Sequence, residues 1–297
     1  MDGYRPTRSA PPPASDASGF SAHVLIDGRF CLDEPIGHGT AAYVWRATDL
    51  SSLQKVAVKI FSAPLGHAPQ GHEAVREAAA LRAVENPHVV RMISTGTISH
   101  PDTGVQTPYL VLELVRGADL RHSLPGVLEP VDTARLGAEL AAGLAGVHAA
   151  GYIHRDVKPS NILVDPATGH AKITDLGIAV SVHRVGDKEP SYGSLPYMSP
   201  EQLRRAPLTS ASDIYSLGLV LLECLTGVRA FDLPQGDSMA ARTVRGPEIP
   251  PALPAAWRSL LSAMTSLSPR ERPSAEQCRL ALASLQHQHA AAATAAA

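Results

Sequence analysis

The sequence predicts an α+β protein of two lobes, the first rich in strands and the second helical. From Val24 to Val115, short runs rich in β-branched and aromatic residues alternate with turn residues. From Asp119 onward, apolar residues recur at helical spacing instead. Hydrophobic residues make up 44% of the 297, enough for a sizeable core and too much for general disorder. Such a change of pattern within one chain reads as two lobes joined near residues 113–119.

Each element follows from its local pattern. Residues 1–20, rich in Pro, Ser and Ala, are expected to form a disordered leader. Strands are expected in VLIDGRFCLDEPI, YVWRATDL, VAVKIF, VVRMISTGTI and YLVLELV, with one helix among them at EAVREAAALRAV. Farther on, Leu136, Leu140, Leu144 and Val147 share a helical face, with Asp132 or Thr133 as the expected N-cap. Ser212 to Thr226 reads as a buried helix, and Trp257 to Met264 and Ala275 to Leu285 as two more. The folded domain is therefore expected over residues 21–287, its first lobe at about 21–115 and its second at about 119–287. The Ala-rich tail, 288–297, is expected either to extend the last helix or to fray.

Composition excludes several classes. Lys and Arg total 26 against 28 Asp and Glu, so the basic excess of a nucleic-acid binder is missing. Cys31, Cys224 and Cys278 are odd in number and far apart, which fits neither a disulfide framework nor a metal spacing. No apolar run reaches the roughly 18 residues of a membrane span, and the first residues lack an apolar signal core. A cytoplasmic, reducing location is the expectation. The excess of Arg over Lys and the abundance of Ala suggest a GC-rich bacterial genome. Thirteen histidines, among them His67, His72, His287 and His289, form no four-ligand pattern and read as surface residues.

Three motifs carry chemistry. Ile36-Gly37-His38-Gly39-Thr40-Ala41-Ala42-Tyr43-Val44 is a glycine-bearing hairpin whose backbone is open to phosphates; the plainer reading is an ordinary turn. Val56-Ala57-Val58-Lys59 sets one lysine inside an apolar strand, where it either snorkels to solvent or finds a partner. Glu77 on the following helix is the candidate. The third motif is far more specific. His154-Arg155-Asp156-Val157-Lys158-Pro159-Ser160-Asn161 is followed by Asp175-Leu176-Gly177. With it the sequence resembles the eukaryotic-like serine/threonine protein kinases of bacteria, over roughly residues 25 to 285.

The resemblance implies the two-lobed protein kinase fold and transfer of the ATP γ-phosphate to protein serine or threonine hydroxyls. Asp156 would be the catalytic base, and Lys158 would neutralise charge on the transferring group. Asn161 and Asp175 would hold magnesium, Mg2+. Lys59, paired with Glu77, would contact the α- and β-phosphates, and the backbone from Ile36 and Gly37 to Ala42 would cover them. Val44 and Ala57 would lie on one face of the adenine and Leu163 on the other. Leu112 would guard the back of that pocket, and the main chain of Glu113 and Val115 would bond the ring. Asp119 would either accept from the ribose or cap the next helix. Gly193 to Glu201 resembles the peptide-docking segment, with Glu201 paired to Arg272 and Asp213 bracing the catalytic loop. Lys158, with Ser194, marks the serine/threonine form.

Three positions depart from the family pattern: Ala42 replaces the third glycine, Leu176 the central residue of the magnesium triplet, and Ser199 a frequent alanine. None removes a charged group. The competing readings are a kinase-fold scaffold with weak activity and a small-molecule kinase. The first predicts loss of Lys59, Asp156 or Asp175, and the second loss of the docking segment. Transient pairing of two chains through the β-rich lobe is implied by the resemblance alone. By the same resemblance Arg155 would meet an anion on the activation loop, which offers the Asp187 or Glu189 carboxylate or a phosphate on Ser191 but no threonine; the plainer reading leaves Asp187, Lys188 and Glu189 solvated with no partner.

Overall fold

In the computed structural model the described residues are 19–39, 42–61, 71–123, 126–176, 180–181, 195–231 and 243–296. They fall into two units. One takes in the described residues up to Gly71 together with Ile93–Leu114, and the other His72–Met92 together with the described residues from Val115 onward.

The first unit is a six-stranded sheet: β1 (Leu25–Ile26), β2 (Phe30–His38), β3 (Ala42–Asp49), β4 (Gln54–Phe61), β5 (Met92–Ser99) and β6 (Gln106–Glu113), in the order β1-β2-β3-β4-β6-β5. The first expected run is split in two, because Asp27 and Gly28 both take positive φ and turn the chain between β1 and β2. Asp-Gly is a strong signal for such a turn. Alternation along the strands puts Trp45, Ala47, Val56, Val58, Ile60, Tyr109 and Val111 into one apolar core. Phe20 joins that core, 5% exposed, with its ring edge-on to His100. Phe20, the last residue of the expected leader, is thus buried in this core.

In the second unit α1 (Gly71–Ala83) and α2 (Leu120–Ser123) precede the long helix α3 (Pro130–Ala149). Leu136, Leu140, Leu144 and Val147 are buried along α3, as their spacing predicts. The helix starts at Pro130 rather than at Asp132 or Thr133. Proline presets the first helical φ and needs no donor there, while Asp132 sits in the first turn and favours the helix dipole. Next come β8 (Tyr152–Ile153), β9 (Ile162–Val164), β10 (Ala171–Ile173) and β11 (Val180–Ser181). They form the small sheets β10-β9-β7, with β7 at Ala118–Asp119, and β11-β8. Helices α4 (Pro200–Leu203), α5 (Ala211–Thr226), α6 (Ala255–Met264) and α7 (Ala275–Ala296) complete the unit. Gly227, at φ 71°, ends α5 in the left-handed conformation that favours glycine. The tail extends the last helix as far as Ala296.

The helix at residues 71–83 was expected in the first lobe, yet His72–Met92 groups with the second unit. The hydrogen bonds explain why. Val90 N donates to Ile173 O at 2.9 Å, Ile173 N to His88 O at 2.8 Å, and Asn86 Nδ2 to Ala142 O at 2.9 Å. Gly143 allows this approach, since a Cβ there would lie 2.9 Å from His88 O. These partners lie more than 50 residues apart in sequence, beyond the reach of a local pattern.

Candidate active site

The sheet sorts the proposed nucleotide residues to one side. In its register Val44 stands opposite Gly37 and Lys59, Lys59 opposite Leu110, and Ala57 opposite Leu112. Directly opposed residues share a face, as do residues two apart on a strand. Gly37, Val44, Ala57, Lys59 and Leu112 therefore share the face that does not feed the Trp45 core. A register shift between Pro35 and Gly37 passes over Ile36, which is exposed. Gly37, His38 and Gly39 are exposed as well. Gly39 N donates to Ala42 O at 2.8 Å and closes the hairpin. Ala42 is buried and stands opposite Phe61, so the third glycine's replacement serves as a packed strand residue. Thr40 and Ala41 lie outside the described residues. Lys59 is buried at 9% exposure, with Nζ 5.3 Å from the centroid of the Phe61 ring. Glu77, in the second unit, is 1% exposed, and Glu113 is half-buried.

In the second unit the residues expected to form the catalytic loop come together. Asp156 Oδ2 accepts from Lys158 Nζ at 2.6 Å and from Asn161 Nδ2 at 3.0 Å. Asn161 Nδ2 also donates to Asp156 O at 2.9 Å, so its amide nitrogen is committed. Asp156 N donates to His154 Nδ1 at 3.3 Å, while His154 Nε2 faces Thr174 O at 3.0 Å. A ring nitrogen facing a carbonyl must carry the hydrogen, and one facing an N–H must not, which fixes the His154 tautomer. Thr174 precedes Asp175, so this ring links the Asp156 loop to the Asp175 segment. Asp175 is exposed at φ 64°, and Leu176 beside it is fully buried.

The loop is held from below by α5. Asp213, fully buried, accepts from Arg155 N at 2.7 Å and from His154 N and His148 Nε2, both at 2.8 Å. Burial alone would push its carboxyl up, but His148 and the backbone donor Arg155 outweigh it and hold the carboxyl below its ordinary range. Arg155 takes φ 70°, a left-handed conformation that costs a non-glycine residue about 1–3 kcal/mol and persists where its surroundings over-determine it. Burial pulls the Arg155 guanidinium below its ordinary value; Asp213 opposes this and Arg76 adds to it.

The segment expected to dock peptides is anchored separately. Leu195–Tyr197 forms a 3₁₀ turn, and Ser199 caps α4 with a box completed by Gln202. Glu201 receives Arg272 through two bonds, Nη1 to Oε1 at 2.6 Å and Nη2 to Oε2 at 2.9 Å. Ser212 Oγ donates to the same Oε1 at 2.7 Å. Arg272 also donates to Ala211 O and Ser266 O, and lies 4.9 Å above the Tyr215 ring. Burial raises the Glu201 carboxyl, but Arg272 and Ser212 hold it below its ordinary range overall.

Asp119 shows the capping geometry: its Oδ1 accepts from His122 N at 2.9 Å, at the start of α2. Val115 and Leu163 are half-buried, and Leu163 stands opposite Asp119 in the β7–β9 pair. Gly177, Asp187, Glu189, Ser191, Gly193 and Ser194 lie outside the described residues. Three contributors escaped sequence reasoning: His148, the His154 ring and Gln202. Only the last had a local signal, the Ser-x-x-Gln spacing of a capping box.

A model of the protein kinase domain family matches residues 30–281. The chain is 34% identical over 216 residues to a probable serine/threonine-protein kinase, pknA2, of Bifidobacterium longum, covering 70% of this chain and 28% of that protein. It is 35% identical over 235 residues to the probable serine/threonine-protein kinase PknB of Corynebacterium glutamicum, covering 77% and 36%. To the serine/threonine-protein kinase PknA of Mycobacterium tuberculosis it is 33% identical over 255 residues, covering 84% and 59%. The chain thus spans 28% to 59% of the length of these relatives. The family match runs from β2 into α7 and takes in the loop around Asp156 and the Glu201–Arg272 pair, so the chain belongs to the protein kinase domain family.

Proposed function

We propose that the chain transfers the γ-phosphate of ATP to serine or threonine hydroxyls of protein substrates. The observation that carries this reading is the Asp156 carboxylate, held by Lys158 and Asn161 on a loop fixed from below by Asp213. The substrate oxygen bonds to the γ-phosphorus as the bond from that phosphorus to the β–γ bridging oxygen breaks. The hydroxyl proton passes to Asp156, and ADP leaves. Lys158 lies beside the carboxylate, where its ammonium offsets charge gathering on the transferred group. In the first unit, Lys59 on the exposed-glycine face of the sheet holds the α- and β-phosphates, and Val44, Ala57 and Leu112 line the adenine side. The kinase names of the similar proteins support the substrate class.

The donor set fits a magnesium ion. Among the described residues no group of three or more His, Cys, Asp or Glu could hold a metal, but Mg2+ needs only one or two protein oxygens beside substrate phosphates. Asn161 commits its nitrogen to Asp156, which leaves Oδ1 as its donor, and Asp175 adds an exposed carboxylate. When bound, the ion would neutralise phosphate charge. No described helix is long and apolar enough to cross a membrane.

The test is phosphotransfer from radiolabelled ATP to a generic basic protein, with magnesium or with EDTA, followed by phosphoamino-acid analysis. Label on serine or threonine that needs magnesium is expected. Asp156→Asn should lower it by about 10²–10⁴ without unfolding the chain. Equal label from Asp156→Asn and the native chain would overturn the assignment. A chain that binds ATP but never transfers it would favour the scaffold reading.

A further inference from the structure

The Gln202 side chain does more than cap a helix. Its Oε1 accepts from Ser199 N at 2.9 Å and from Ser199 Oγ at 3.1 Å, which completes the box at the start of α4. Its Nε2 points the other way and donates to Arg155 O at 2.8 Å. That carbonyl belongs to the peptide joining Arg155 to Asp156. The N–H of Arg155 is already fixed, by Asp213 Oδ1 at 2.7 Å. The residue just before the proposed base is therefore gripped at both ends, its amide by α5 and its carbonyl by α4. It is also the residue with φ at 70°. A non-glycine residue stays in that region only where its neighbours dictate the geometry, and two opposed hydrogen bonds do so here.

We infer that Gln202 is a positioning residue for phosphotransfer: through Arg155 O it sets the Arg155–Asp156 peptide plane and hence the direction of the Asp156 carboxylate. The inference rests on the proposed role of Asp156. It also gives the peptide-docking segment a direct line to the base. Gln202 follows Glu201, which Arg272 anchors, and it reaches the catalytic loop through a single hydrogen bond. A shift of the docking segment then changes the aim of the base.

Two substitutions separate this role from simple capping. Gln202→Glu keeps the acceptor that serves Ser199 N, since glutamate completes such a box as well as glutamine, but it replaces the donor to Arg155 O with an oxygen. Gln202→Ala removes both functions. kcat, KM for ATP and Tm are measured for both variants, with Asp156→Asn alongside. The expected result for Gln202→Glu is a kcat lower by about ten- to a hundredfold, because small misplacements of a reacting group cost that much, with KM for ATP close to the native chain. Gln202→Ala should show the same kcat loss with a lower Tm. A native kcat in Gln202→Glu, with Asp156→Asn inactive, would overturn the inference and leave Gln202 a helix cap. Full activity in Asp156→Asn would instead overturn the reading of Asp156 on which the inference stands.

Discussion

Asp213 and Glu201 are both buried carboxylates held below their ordinary range, yet they hold different kinds of partner. Asp213 takes two backbone N–H groups from the loop around Asp156 and the ring of His148 from the last turn of α3. Glu201 takes a guanidinium and a hydroxyl, and joins α4 to Ser212, 11 positions onward, and to Arg272, 71 positions onward. The first arrangement fixes the shape of a backbone that would otherwise not adopt φ 70° at Arg155. The second closes a long stretch of chain. The difference teaches a division of labour: Asp213 serves the geometry of the backbone around Asp156, and Glu201 with Arg272 serves the stability of the helical unit.

Arg272→Ala should give the largest loss of stability. Its side chain is 0% exposed and that of Glu201 is 7% exposed, and breaking a buried pair leaves an uncompensated charge that costs about 3–5 kcal/mol. Urea denaturation of the helical unit measures it. Glu201→Leu combined with Arg272→Met should recover a large part of that loss, since apolar replacement of a whole buried pair is often neutral. Failure of the double variant to improve on Arg272→Ala would mean that Arg272 acts mainly through Ala211 O, Ser266 O and the Tyr215 ring.

Asp213→Asn should cost less stability and more turnover. An amide cannot accept at both ends, so one loop donor or His148 loses its acceptor, at about 1–3 kcal/mol. The freed Arg155–Asp156 peptide should lower kcat by about tenfold or more in a phosphotransfer assay. A kcat equal to that of the native chain would break the comparison at this end.

The smallest effect concerns acid. The folded Glu201 carboxyl lies below its ordinary value of 4.5, so it binds fewer protons than in the unfolded chain. Its contribution is therefore complete above about pH 4.5 and is lost as pH falls through the lower, folded value. Asp213, lowered from 3.8, adds a second loss beginning at lower pH. Between pH 6 and pH 3 the Tm of the native chain should fall more steeply than that of Glu201→Leu/Arg272→Met. Parallel slopes would show that Glu201 does not carry the acid response.

Much of this was legible in the sequence, for physical reasons. Leu136, Leu140, Leu144 and Val147 announce α3 because a buried stripe must repeat at the helical period. The order of Asp156, Lys158, Asn161 and Asp175 carried the resemblance to protein kinases, and the chain does belong to the protein kinase domain family. The Glu201–Arg272 pair was expected and is present. Long-range contacts stayed hidden. The strand-rich pattern could not show that His72–Met92 joins the helical unit, because the bonds of Asn86 and Val90 reach Ala142 and Ile173. Nor could it show His148 beneath the loop, since the other bonds to Asp213 cross about 60 positions of chain. Ser199, expected only as a departure, turns out to cap α4.

The division of labour is tested most directly by measuring kcat per folded molecule and unfolding free energy together, on Arg272→Ala and Asp213→Asn, at a temperature where both remain folded. Arg272→Ala should keep most of its turnover while losing the larger share of stability, and Asp213→Asn should keep more stability while losing the larger share of turnover. The reverse pattern, or equal losses of both quantities in both variants, would contradict it.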